Sequence, residues 1–382
     1  MSGIRSVFVL NTGSSSVKFR VVDSRSGAVS AEGIVDRIGE AGSDTADHRA
    51  AIDRILAGLD GSSIDAVGHR IVHGGTRFVQ ATPIDDAVEA GIEQLAPLAP
   101  LHNPPGLLGI RAARAALPGV PQVAVFDTAF HAQLPEAART YAIDAALADE
   151  HGIRRYGFHG TSYRIVSERA AEFLGRPLEQ LRLIVLHLGN GASAAAIAGG
   201  RSIDTSMGMT PLEGLVMGTR SGDLDPAVLL YLQRNAGMTV DQLDDLLNRR
   251  SGLLGLSGRS DMREVIAAAE GGDPAAGLAF EVYLHRLRHY LGAYLAILGG
   301  VDALVFTAGV GENSPQVRAA ALEGLGALGL QVDASANARP GSGARRISPA
   351  GAQIDVLVIP TDEELQIARE TASVLAVRDL RP

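Results

Sequence analysis

The chain is expected to be an α/β protein of two domains that repeat one architecture, and three observations predict it. At 382 residues it is longer than one ordinary core holds. A hydrophobic share of 46% with only 4% aromatic residues, together with 45 Gly, describes aliphatic cores, tight turns and close helix packing. A strand, a short Gly-containing polar turn and a second strand stand near the N-terminus, and the same unit returns about 175 residues later.

The first unit is Ser6 to Asn11, a Gly/Ser turn, and Val17 to Asp23, which together read as a β-hairpin. The second is Arg182 to Leu188, the turn Gly189-Asn190-Gly191, and Ala192 to Ile197. A third strand, Ala303 to Ala308, runs into another glycine-rich turn at Gly309-Val310-Gly311-Glu312-Asn313. Pro121 to Phe126 reads as a strand with Asp127 at its C-terminal end, and Asp355 to Ile359 as one more, ending at Pro360. Thr361 and Glu364 have the spacing of a helix-starting capping box. The longest helix spans Pro274 to Gly299, with Leu278, Val282, Leu287, Tyr290, Leu291 and Tyr294 as an apolar stripe for the core or a subunit contact. Residues 334–348 and 39–47 read as surface loops.

Composition excludes several classes of function. Without Cys there are no disulfides, thiolate metal sites or Cys nucleophiles. A net charge of −9 and the lack of a basic stripe argue against nucleic acid as a partner. Val7 to Leu10 is too short for a leader's apolar core, and Leu291 to Val301, flanked by Arg288 and Asp302, is too short for a membrane span. The expectation is a soluble, cytoplasmic protein with no membrane partner.

Of 34 basic residues, one is a lysine, Lys18, at the first hairpin; the other 33 are Arg. A lone Lys in an Arg-rich chain marks a place where a compact ammonium works and a planar guanidinium does not. Gly-rich turns at strand ends let backbone N–H groups approach anions, so three of them make a nucleotide triphosphate site plausible. The chain has no P-loop motif and no dinucleotide fingerprint after a strand. Seven of the ten His lie between His69 and His187. His69 and His73 sit in a strand-like run ending in Gly-Gly, which does not favour zinc. His159, flanked by Gly157 and Gly160, is the strongest functional candidate among them. The polar stretch from Asp204 to Pro226 is costly to order unless something holds it, and Arg220, framed by Gly-Thr and Ser-Gly, reads as an exposed guanidinium suited to phosphate or carboxylate oxygens.

Several runs now line up in order. They include Asn11 to Phe19, His69 to Gly75, Leu101-His102-Asn103-Pro104-Pro105, Phe126 to His131 and Arg154 to Ser162. His187 to Ser193, Asp204 to Gly214, Gly218 to Pro226 and Phe306 to Asn313 complete the set. From about Val7 to Glu364 they resemble the motifs of the acetokinase family, within the superfamily of sugar kinases, Hsp70 and actin.

The resemblance implies two duplicated domains of that superfamily with an active-site cleft between them. The first would cover 1–150, with a helix at 364–382 returning to it, and the second, nucleotide-binding one 151–363. It implies reversible phosphoryl transfer from ATP to acetate, giving acetyl phosphate and ADP, with Mg²⁺ (or Mn²⁺) and a homodimer. Nucleotide would be held by Lys18, by His187, Leu188, Gly189, Asn190 and Gly191, by Asp261, Met262 and Arg263, and by Gly309, Val310, Gly311, Glu312 and Asn313. Asn11 and Glu363 would serve the metal. Arg70 would take the acetate carboxylate, with Val72, Leu101, His102, Phe158 and Pro211 about the acetate. Asp127, Arg70, His159 and Arg220 would be the catalytic set.

A carboxylate with a pKa near 4.3 is already ionised at neutral pH, so no general base is required. The charge cost lies in bringing an anion onto a polyphosphate, which two Arg, a His, a Lys and Mg²⁺ would offset. Thr76, Tyr163 and Asp362 depart from the family's usual Glu, His and Asn, and Ser257 to Asp261 runs one residue short. Propionate or butyrate kinase chemistry is the near rival, and a non-enzymatic ATP-driven switch the distant one.

Overall fold

In the computed structural model the described residues are 3–13, 15–39, 44–59 and 63–378. They form two compact units, one of Met1–Ala132, Phe158–Ile165 and Asp362–Pro382, the other of Gln133–Gly157 and Val166–Thr361.

The first unit is built on a six-stranded sheet of β1 (Ser6–Thr12), β2 (Val17–Asp23), β3 (Val29–Val35), β4 (Ala66–Ile71), β5 (Thr82–Pro83) and β6 (Gln122–Phe126), ordered β3-β2-β1-β4-β6-β5. β1 and β2 form the expected hairpin, with Asn11 opposite Lys18. β4 and β6 then add in parallel on the other side of β1. Val7, Phe8, Val9 and Leu10 are all buried, as a central strand covered on both faces requires. Phe8 and Leu10 pack with Ile52 and Ala113, from the helices His48–Ala57 and Asn103–Ala116. The helix Glu363–Arg378 packs against β1, β2, β4 and β6. Gly68 of β4 permits that approach, because a Cβ there would meet Thr371 Oγ1 at 2.7 Å and Ile367 Cγ2 at 2.8 Å.

The second unit repeats the topology. Its strands are β7 (Arg182–Leu188), β8 (Ala192–Ala198), β9 (Arg201–Thr205), β10 (Ala303–Thr307), β11 (Arg345–Arg346) and β12 (Asp355–Val358), ordered β11-β12-β10-β7-β8-β9. An antiparallel meander, β7-β8-β9, is again followed by two parallel strands and a short antiparallel edge strand that precedes its partner in sequence. Sheets of this kind gather functional groups at the carboxyl ends of their parallel strands.

The long helix runs Pro274–Leu298, started by Asp273, whose carboxylate accepts from Ala275 N and Ala276 N, and stopped by left-handed Gly299. It packs on β7 and on the alanine-rich β8, whose small side chains let it come close. Its buried face is Ala276, Ala279, Tyr283, Leu287, Leu291, Tyr294 and Leu298. The expected stripe was therefore partly misplaced: Leu278 is 55% exposed, and small alanines take the inward positions.

Three other expectations change. Gly309 to Asn313 is not a turn but part of a short helix, Ala308–Asn313. The C-terminal helix starts at Glu363, with Asp362 Oδ1 accepting from Leu365 N, so counted from an Asp362 cap Glu364 is the second helical residue, one short of the capping-box position. The 334–348 loop contains the helix Ala334–Ala338, with Asn337 buried, and strand β11. Of the 39–47 loop, residues 40–43 lie outside the described residues; Thr45 is buried and its carbonyl accepts from Gly39 N.

Candidate active site

In the first unit, charged groups collect where β4 and β6 end. Arg70 is the penultimate residue of β4, and Asp127 follows β6 directly, its N–H bonded to Ile71 O at 3.0 Å. Arg70 Nε donates to Asp127 Oδ1 at 3.0 Å and Nη2 to Oδ2 at 2.7 Å, a bidentate pair. Asp127 is 1% exposed. Burial and the nearby Glu363 push its carboxyl above the usual range, and Arg70 and His102 pull it back. Burial likewise disfavours the Arg70 charge, but Asp127, Glu363 and Glu364 outweigh it and hold the guanidinium protonated, above its ordinary value.

His159 has φ +59, a conformation costly for any residue with a Cβ. It precedes Gly160, whose N–H bonds to Asp127 O at 2.9 Å and where a Cβ would fall on that carbonyl oxygen. The strained turn thus presents His159 beside Asp127. Phe158 is fully buried, its ring 5.5 Å from that of His73 and its carbonyl bonded to His131 Nε2 at 3.0 Å. Val72 and His102 are half-buried and Leu101 is 43% exposed. Tyr163 is buried against Phe130 and His131, so that departure enlarges an aromatic cluster. Thr76 is exposed.

Lys18 is exposed on β2 opposite half-buried Asn11. Glu363, the first residue of its helix, has a buried Oε1 with no hydrogen-bond partner. Among the described residues no group of three or more His, Asp and Glu could hold a metal alone. An amide oxygen and an orphaned carboxylate oxygen fit a Mg²⁺ that keeps waters and shares its shell with substrate phosphates. His69 is buried and bonded to Gln122 Oε1 at 2.7 Å, and burial lowers its pKa to about 4, leaving a neutral ring with a packing role.

The second unit contains a cavity of about 640 Å³. Of the nucleotide candidates, the structure brings Gly189, Asn190, Asp261, Met262, Arg263, Gly309, Val310 and Asn313 to its wall. It does not bring His187, Leu188, Gly191, Gly311 or Glu312, and Lys18 belongs to the other unit. Asp261 caps the helix Met262–Glu270 by accepting from Arg263 N, and hydrogen bonds from Arg263 hold its carboxyl down at about 2. Glu312 points into the protein: its Oε1 accepts from Ala308 N at 2.8 Å and Thr361 N at 3.1 Å. This bracing holds Ala308 at φ +63 and turns the glycine segment into a helix.

Sequence reasoning missed Gly218, Leu253, Ser260, Tyr283 and Ser314, which also line the cavity. Gly218 had a signal, its place in the Gly-Thr-Arg run; its N–H bonds to Asn190 O at 3.0 Å, and a Cβ would overlap the Asn190 amide. Tyr283 had none, being one aromatic on a long helix.

Arg220 is half-buried rather than exposed, and burial depresses its pKa. Its Nη1 donates to Pro211 O at 2.6 Å, so the two candidates from this loop are tied together. The 204–226 stretch is ordered, held for example by Gly214 N to Asp223 Oδ1 at 2.8 Å and Tyr290 OH to Asp223 Oδ2 at 2.8 Å.

A duplicated six-stranded sheet, a buried Arg–Asp pair at the ends of two parallel strands and a glycine-walled cavity define an α/β protein of two repeated units. Within that class, the chain belongs to the acetokinase family, whose model matches residues 6–369. It is 59% identical to an acetate kinase of Leifsonia xyli subsp. xyli over 97% of this chain and 99% of that one. It is 55% identical to an acetate kinase of Streptomyces coelicolor over 98% of each. Among solved structures it resembles Porphyromonas gingivalis acetate kinase, with TM-score 0.93 and 43% identity over 97% of this chain and 100% of that one. A propionate kinase from Francisella tularensis subsp. tularensis gives TM-score 0.92 and 39% identity over 97% and 99%.

Proposed function

We propose that this chain is an acetate kinase, transferring the γ-phosphoryl group of ATP to acetate by direct in-line attack of the carboxylate, reversibly. The observation that carries the reading is the Arg70–Asp127 pair: a protonated guanidinium, fixed on two of its nitrogens, that keeps Nη1 for a small anion. Val72, Leu101 and Phe158 supply apolar surface in the same unit, suited to a methyl group. His159 and Arg220 would add positive charge at the phosphoryl oxygens as charge develops there. The glycine-walled cavity of the second unit would take the nucleotide, with Lys18 serving its phosphates. Domain roles follow, the first acid-binding and the second nucleotide-binding.

Asn11 and Glu363 would hold Mg²⁺, which when bound neutralises phosphate charge. The family resemblance carries a homodimer and a cytoplasmic location with it. No described helix is long and apolar enough to cross a membrane.

Fold does not choose the acid, since one or two methylenes in such a pocket are worth only about 1–3 kcal/mol. Acetate is favoured by the curated relatives' names at 54–59% identity. The test is hydroxylamine trapping of acyl phosphate with ATP and acetate, propionate or butyrate in parallel. Acetate should give the highest kcat/KM; no hydroxamate from any acid would refute the kinase reading.

A further inference from the structure

We infer that Glu213, held by Tyr141 and Arg155, positions Arg220 through the short loop that ends in the Pro211 carbonyl; the inference rests on the reading of Arg220 above. The loop has almost no side chain of its own to hold it. Arg155 binds it from below, its Nη1 donating to the carbonyls of Thr205, Ser206 and Met207 at 3.1, 3.2 and 3.1 Å. Its Nη2 pairs with Glu213 Oε1. Tyr141 OH donates to Glu213 Oε2 and accepts from Met209 N at 3.0 Å. The carboxylate thus closes a ring from 205 to 213, in which Pro211 sits two residues before Glu213.

Two features make this ring stiff rather than merely present. A Cβ at Gly208 would overlap both Glu213 Oε2 and Tyr141 OH, so the backbone lies directly on the carboxylate. Gly208 O also accepts from Tyr156 N at 3.0 Å and Gly157 N at 3.2 Å. Among the described residues the Arg220 guanidinium has no acidic partner; its hydrogen bond to Pro211 O is what aims it. A carbonyl that moves therefore moves Arg220, and a cation needed only as charge develops would register the shift in kcat more than in KM.

The experiment is a double-mutant cycle of Tyr141→Phe and Arg220→Lys, with thermal melting of each variant. Tyr141→Phe should lower kcat roughly three- to tenfold, the size of one lost hydrogen bond, with KM for ATP within about twofold. In the Arg220→Lys background the same change should cost nothing further. Multiplying losses, or an unchanged kcat for Tyr141→Phe, would overturn the positioning role while leaving the site reading intact. Full activity of Arg220→Lys alone would overturn both. Should Tyr141→Phe fail to fold, Glu213→Gln, which keeps the shape and removes the charge facing Arg155, is read by the same criteria.

Discussion

Arg70 gives two of its nitrogens, Nε and Nη2, to the two oxygens of Asp127, at 3.0 and 2.7 Å. The acid expected from the sequence to belong to the catalytic set is thereby engaged, on both oxygens, with the arginine expected to bind substrate. Asp127 sets where Arg70 can point.

Asp127→Asn replaces one acceptor with an NH₂ that faces Arg70 donor to donor. We expect kcat/KM for acetate to fall roughly ten- to hundredfold, the range for a lost hydrogen bond to a charged group, mainly through KM for acetate. Steady-state kinetics varying acetate, ATP and Mg²⁺ separately decides it. A change confined to the Mg²⁺ requirement would assign Asp127 to the metal instead.

Lys18→Ala should raise KM for ATP about tenfold and leave KM for acetate unchanged, since the exposed ammonium on β2 stands opposite Asn11 and takes no part in the Arg70–Asp127 pair. Equal KM for ATP in the variant and the parent would refute the phosphate role.

Gly218→Ala puts a methyl group on the Asn190 amide and within 3.1 Å of Ser260 O, at the wall of the second unit's cavity. Nucleotide affinity measured by calorimetry should drop at least about tenfold, the cost of overpacking such a contact. Undiminished affinity would place the nucleotide elsewhere.

Acid stability should follow His69. Its folded-state pKa of about 4 lies below the unfolded value of 6.5 given for the free side chain. The unfolded chain therefore binds a proton first, and stability present above pH 6.5 is lost as pH falls toward 4. The gap corresponds to about 3 kcal/mol for this buried ring. His69→Gln should flatten chemical-denaturation midpoints across that window; an unaltered pH profile would exclude His69 as the cause.

Much of this architecture was legible from the chain because the informative signals are local. The β1–β2 and β7–β8 hairpins announce themselves by apolar runs around Gly turns, and Arg70, Asp127 and His159 stand in long, unusual motifs. β3 and β9 do not, since Val29–Val35 is largely exposed and Arg201–Thr205 is polar, as edge strands are. The helix Ala308–Asn313 escaped notice because its two glycines oppose helix formation; Glu312, Arg318 and Arg345 hold it by contacts from distant residues, such as Arg318 Nη1 to Gly311 O at 3.0 Å and Arg345 Nη2 to Glu312 O at 3.0 Å. Tyr283 reaches the cavity wall only because its helix packs beside β7 and β8.

The repeated strand order has a consequence for how the two halves could have diverged. Matching β4 and β6 to β10 and β12 sets Arg70 and Asp127 against Phe306 and the uncharged stretch after Val358. At these equivalent ends one copy carries ionised groups and the other uncharged ones. An Arg–Asp pair in both places would leave the two copies alike, whereas asymmetry lets each specialise. The duplication is a symmetry of scaffold, and its breaking at four strand ends is where the chemistry begins.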